Sequence, residues 1–219
     1  MRSWPLGALL VLCLLSGGAC KVEDEVPATL EERLLRAAKR GDLRAVKVLL
    51  ERGADIEAPD KNPGWTPLIW MAVKGHVEGV NYLLSKGAKV EGRTLKGETG
   101  LMTSARWSQL ETVSALLDGG AQVDATDRNA WTALMWSCLK GQEEMAVLLL
   151  KHGADLEHQD RDGRRPLMLA ATKGHASLVK VLLAKGARVD PKGPDGDAMS
   201  LARKYGYEDV ARLISKQPR

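Results

Sequence analysis

Four histidines, His76, His152, His158 and His175, and three cysteines, Cys13, Cys20 and Cys138, are the side chains of this sequence best suited to acid–base, nucleophilic or metal chemistry near neutral pH. Their surroundings argue against all three. No His or Cys pair has the spacing of a metal site, and no nucleophile elbow or phosphate-cradling glycine loop occurs. His76 and His175 each follow a glycine in the same local pattern, and His152 precedes Gly153-Ala154, a dipeptide that returns throughout the chain. His158 stands alone between Glu157 and Gln159. Asp60, Asp127 and Asp160 recur in turn contexts, where a short carboxylate bonds to nearby backbone. The sequence predicts no catalytic residue, no metal site and no cofactor. A thiol enzyme using Cys138 is the remote alternative.

A different chemistry is open to Cys20. The chain begins with one cation, Arg2, then an uncharged apolar run over residues 6–15, then the small residues Ser16, Gly17, Gly18 and Ala19. That is the pattern of a secretory signal spanning residues 1–19. A membrane-spanning helix needs roughly 17–25 apolar residues, more than this run or any later stretch supplies. With Cys20 at the cleavage point, the segment resembles the lipobox of bacterial lipoprotein precursors. The resemblance implies that Cys20 is diacylated and tethers the chain to a membrane face. In enteric lipoproteins Asp after the cysteine retains the chain on the inner membrane, so Lys21 implies the outer one. Gly17 departs from the pattern, which favours Leu there. Cleavage by ordinary signal peptidase stays open and would leave a soluble periplasmic or secreted protein. With Cys13 lost and Cys20 acylated, Cys138 is alone and no disulfide framework follows.

Hydrophobic residues make up 44% of the sequence, an ordinary globular share, yet there is no Phe and there are six Trp. The core is therefore expected to be Leu, Val and Ala. The net charge of +4 becomes +3 without residues 1–19, and the signs alternate along most segments. That is unlike the basic stripe of a nucleic-acid binder, so no nucleic acid is expected.

What positions these residues is a repeat. Gly-Ala occurs at Gly53, Gly87, Gly120, Gly153 and Gly186, spaced 34, 33, 33 and 33 residues. Leu68, Leu101, Leu134 and Leu167 keep the same beat, as do Leu83, Leu116, Leu149 and Leu182. Within one period, Thr66-Pro67 supplies a capping hydroxyl and a proline suited to a first helical turn. Gly75 ends that helix. Val80, Leu83 and Leu84 then mark the apolar stripe of a second helix that stops at Gly87. Each unit is two short antiparallel helices and a loop, and it can bury its stripe only against its neighbours.

Trp65-Thr66-Pro67-Leu68, Ala72, Gly75-His76, Leu83-Leu84 and Gly87-Ala88 resemble an ankyrin repeat, with a clear second copy from Pro166-Leu167 to Gly186-Ala187. The resemblance implies an all-α solenoid of about six repeats over residues 29–217, divided near 29–61, 62–95, 96–128, 129–161, 162–194 and 195–217. Thr29-Leu30-Glu31-Glu32 forms a capping box at the start of the first. Glu31, Glu32, Arg33 and Arg36 at one end, and Arg203, Lys204, Arg212 and Lys216 at the other, read as the polar outer faces of the end repeats. Residues 20–28 read as a short polar tether, its last eight residues spanning at most about 26–29 Å.

Ankyrin repeats grip partners with their loop tips and the exposed side of their first helices, which line a concave face. Residues that vary between matching repeats should mark it: Trp65, Glu98, Trp131 and Arg164 before the first helix, and Lys74, Trp107, Lys140 and Lys173 at its end, with Arg106 beside Trp107. This mixed aromatic and basic strip has the composition of binding hot spots and suits an acidic protein partner. Trp70 and Trp136 fall on the packing side, and Cys138 takes the slot of Ala72, Ala105 and Ala171. The expectation is a monomeric, non-enzymatic protein-binding module of the cell envelope. A narrower alternative is an accessory or immunity-like protein that protects or inhibits one exported enzyme or toxin.

Overall fold

The computed structural model describes residues 28–217 apart from 190–192 and 194–195. The signal segment, Cys20 and Lys21 lie outside the described residues. Within them the chain forms helices joined by loops, with isolated bridges at Arg93–Thr99 and Gly193–Gly196 in place of a sheet. The first helices of successive repeats are α1 (Leu30–Arg40), α3 (Pro67–Val73), α5 (Gly100–Arg106), α7 (Ala133–Lys140), α9 (Pro166–Thr172) and α11 (Ala198–Lys204). Their partners are α2 (Leu43–Glu51), α4 (Val77–Ser85), α6 (Leu110–Asp118), α8 (Glu143–Lys151), α10 (Ala176–Ala184) and α12 (Glu208–Ser215). Each first helix packs on the next, and α4, α6, α8, α10 and α12 stack behind them in a second layer. The architecture is the all-α repeat solenoid predicted from the period.

Local chemistry sets the start of each helix. Thr29 and Glu32 form the predicted capping box, and Thr66, Thr99 and Thr132 accept from the N–H three residues on. The fifth repeat departs from this. Arg165 stands at the cap position without a side-chain cap and pairs with Glu157 at 2.6 Å instead. The core is the expected column of Leu, Val and Ala, joined by Met71, Met102, Met135, Met145 and Met168, and runs without a break from Leu34 to Ile214. The described repeats thus share one continuous core.

Neighbouring repeats are also tied through their loops. Glu57, Glu91, Asp124 and Glu157 each accept from a backbone N–H of the following repeat, at Lys89, Gln122, Asp155 and Arg188, over 2.8–2.9 Å. Each such bond contributes about 1 kcal/mol net and fixes the loops in register. The turn beside them needs a left-handed residue. Gly64, Gly97 and Gly163 supply it, but the fourth repeat uses Ala130 at φ 60°. A left-handed residue with a Cβ costs about 1–2 kcal/mol, against glycine's extra unfolded-state entropy of about 0.5–1 kcal/mol. Ala130→Gly is therefore expected to stabilise by about 0.5–1 kcal/mol and raise Tm by about 1–4 °C in calorimetry. No rise would mean that the strain is relieved locally.

Candidate functional site

The tryptophans before the capping threonines are not at the surface. Asp60 and Asp127 fold the loops back: Asp60 Oδ1 accepts from the N–H of Trp65 and Asp127 Oδ1 from that of Trp131, both at 2.9 Å. Each indole then lies on a second one in the first helix. Trp65 and Trp70 have ring centroids 4.5 Å apart at 58°, and Trp131 and Trp136 repeat this at 4.5 Å and 47°. Trp65 is 8% exposed and Trp131 9%. The expectation that these two grip a partner is corrected: they are spent on the stack. Trp70 and Trp136 pack as expected but stay half-buried, because cations from the preceding repeats cover them. Lys39 Nζ lies 4.7 Å from the Trp70 ring and the Arg106 guanidinium 5.0 Å from that of Trp136.

Three of the predicted charged residues are spent in the same way. Arg106 Nη1 donates to Glu98 Oε1 at 2.7 Å, with the Glu98 side chain only 4% exposed. Arg164 donates to Asp160 at 2.7 Å, pairs with Asp162 at 2.9 Å and lies 5.4 Å from the Trp131 ring. Glu98 and Arg106 neutralise each other, and Arg164 is outnumbered by carboxylates. None of the three offers an open charge, so their place in a partner strip is corrected as well.

What remains in the open is the end of each first helix. Lys74, Trp107, Lys140 and Lys173 are all exposed, Trp107 at 55%. Arg40 and Tyr205 hold the same register position in the first and last repeats and are exposed too. The sequence signal for these two was present, but only if the register is carried into the atypical end repeats. The row reads Arg40, Lys74, Trp107, Lys140, Lys173, Tyr205 along six stacked helices. No carboxylate pairs with its four cations among the described residues. Beside its far end, a cavity of about 260 Å³ opens between Trp131, Arg164, Met168, Lys173 and Tyr205. Small-molecule sites run from about 300 to 1,000 Å³, so this one is sized for an anchoring side chain.

The groups with catalytic potential serve packing. Gly141 is left-handed (φ 70°), and a Cβ there would lie 2.6 Å from His175 Nδ1, so that ring fills the space the glycine leaves. His175 Nε2 is 3.1 Å from the Leu139 carbonyl, and His158 Nε2 is 3.0 Å from that of Ala130. Among the described residues no group of three His, Cys, Asp or Glu side chains is placed to hold a metal ion. No described helix is long and apolar enough to cross a membrane.

Cys138 is fully buried, and loss of solvation pushes its thiol up to about 12. A fully buried thiol meets no substrate from solvent, which argues against an enzyme built on Cys138. Because the folded value lies above the unfolded one near 9.0, its contribution to stability is full below pH 9 and is lost as pH rises toward 12. Cys138→Ala, matching Ala72, Ala105 and Ala171, should be close to neutral at pH 7. Above pH 9 it should hold its Tm better than the parent. Parallel pH curves in thermal melts would contradict this.

The family pattern described as ankyrin repeats in three copies matches residues 7–94 and 91–160, and one described as ankyrin repeats in many copies matches residues 149–205. Human ankyrin repeat domain-containing protein 40 is 41% identical over 76 residues, 35% of this chain and 21% of that protein. Mouse 2-5A-dependent ribonuclease is 42% identical over 69 residues, 32% of this chain and 9% of the enzyme. The chain thus spans only 21% and 9% of these relatives' lengths, and the likeness to them is one of repeats. Ankyrin repeats generally mediate protein–protein interaction, and with residues 7–160 and 149–205 matched, well over half of its length, this chain belongs to the ankyrin repeat family.

Proposed function

We propose that this chain is a non-enzymatic, monomeric binding module of the bacterial cell envelope that holds an acidic partner protein on the exposed ends of its first helices. The observation that carries the reading is the row of four unpaired cations and two aromatics at one register position of six stacked repeats. The exposed Trp107, with Arg40 and Tyr205 at the ends of the row, supplies the residue types enriched at binding hot spots. An uncompensated row of one sign steers an acidic protein toward it and sets its orientation.

Export and anchoring rest on the sequence of residues 1–20, with Arg2, the apolar run and the small residues before Cys20. Diacylation at Cys20 would keep the array near a membrane face, the outer one if Lys21 acts as in enteric lipoproteins. The mass of the mature N-terminus tests this: an unmodified Cys20, or cleavage elsewhere, removes the anchor.

The binding row is tested by comparing the parent with Lys74→Glu/Trp107→Ala/Lys140→Glu as bait for envelope extract, with circular dichroism as the folding control. All three residues are exposed, so helicity should be unchanged while the captured acidic protein is lost. The same partner held equally by both baits would sink the row as the interface.

A further inference from the structure

Among the described residues nothing packs on the outer side of the first repeat, and there the two helices carry a cluster of arginines. Arg33, Arg36 and Arg40 sit at i, i+3 and i+7 of α1, which puts them on one face, and Arg44 and the residue after α2, Arg52, are eight apart on the second helix. All five are exposed and surround a groove of about 510 Å³. Its one acidic lining residue, Asp42, is already committed as the cap of α2, accepting from the Ala45 N–H at 2.9 Å. None of the five arginines has an ion-pair partner among the described residues. The nearby cations Lys39 and Lys47 turn the other way, onto the Trp70 and Tyr82 rings of the second repeat. In the middle of the cluster Val48 stands 44% exposed.

Gathering five like charges costs stability, since nearby guanidiniums repel one another. Guanidinium is also the side chain that matches phosphate with two parallel hydrogen bonds. A lipid surface presents many phosphates side by side, one for each guanidinium, whereas a folded acidic protein would need as many carboxylates in the same pattern. An exposed valine among the arginines suits the boundary between headgroups and acyl chains. We propose that the outer face of α1 and α2 is a docking surface for anionic phospholipid headgroups. The contact would stand the solenoid on its first repeat, giving Arg40 to the lipid and leaving Lys74, Trp107, Lys140, Lys173 and Tyr205 of the first-helix row above the bilayer for the partner. It is separate from diacylation at Cys20: the lipid anchor would hold the chain at the membrane, and the basic face would set which side of the array meets the headgroups.

The test uses the chain from residue 21 onward, which lacks Cys20 and keeps the whole array, with sedimentation on vesicles. Vesicles of equal parts phosphatidylglycerol and phosphatidylcholine should bind it, pure phosphatidylcholine should not, and added salt should release it. Each basic residue at an anionic surface contributes about fivefold, so Arg33→Gln/Arg36→Gln/Arg44→Gln should weaken binding about 100-fold. The control Lys151→Gln/Lys180→Gln/Lys216→Gln removes the same charge elsewhere and should bind almost as the parent does. Equal loss in both variants would show a net-charge effect and overturn the docking surface. So would an absence of binding to the anionic vesicles. Binding of poly-L-glutamate in place of those vesicles would transfer the face to an acidic protein and overturn the lipid assignment. None of these outcomes bears on the mass of the N-terminus, so the anchor stands or falls separately.

Discussion

Arg106→Ala is expected to cost about 3–5 kcal/mol, because it leaves the Glu98 carboxylate buried without its cation. The pair is close, at 2.7 Å, and its side chains are 23% and 4% exposed. The same guanidinium covers the Trp136 ring at 5.0 Å, so its removal also uncovers an indole at the junction of the third and fourth repeats. In an array where each repeat contacts only its neighbours, a loss of this size at one junction weakens cooperativity across it. Urea unfolding followed by circular dichroism should move to lower midpoint and broaden. The double variant Glu98→Gln/Arg106→Gln should recover part of the loss, since no charge is stranded. A single-variant cost below about 1 kcal/mol would mean that the pair behaves as an exposed one.

Trp131→Ala should be as costly, about 3–5 kcal/mol, the range for removing a large buried aromatic. Trp131 packs in the core, stacks on Trp136 at 4.5 Å and underlies the Arg164 guanidinium at 5.4 Å. Truncation would merge its volume with the adjoining cavity at the fourth and fifth repeats. Repeats five and six should then unfold ahead of the rest, giving two steps in denaturant and early loss of amide protection there. Trp107→Ala is the comparison. At 55% exposed it should change stability by no more than about 0.5 kcal/mol while weakening partner capture. Similar costs for the two substitutions would remove the distinction between a packing tryptophan and a binding one.

That distinction marks where sequence reading stops. The period, the two helices per unit, the threonine caps and the leucine columns were all legible, because each is fixed by residues within one turn or one repeat. Lys74, Trp107, Lys140 and Lys173 were also legible as exposed, since the end of a short helix beside a glycine turn has little to cover it. Trp65, Trp131, Glu98, Arg106 and Arg164 were misread. Their variation between repeats marks complementarity within the stack, a Trp pair in one repeat meeting a cation from another, and variation alone does not tell that from variation at a binding face.

By itself, the sequence determined the solenoid: its helix pairs, its register and its apolar spine. Tertiary structure alone decided which polar and aromatic groups are consumed and which remain. Trp65 and Trp70, or Glu98 and Arg106, meet only once the loop folds over the helix that follows it, and Arg106 reaches Trp136 only across a repeat boundary. Likewise Arg33, Arg36, Arg40, Arg44 and Arg52 become one basic face because two helices align and no described repeat stacks outside them. Exposure and charge balance depend on neighbours about 33 residues away, and the period names those neighbours without saying how their side chains pair.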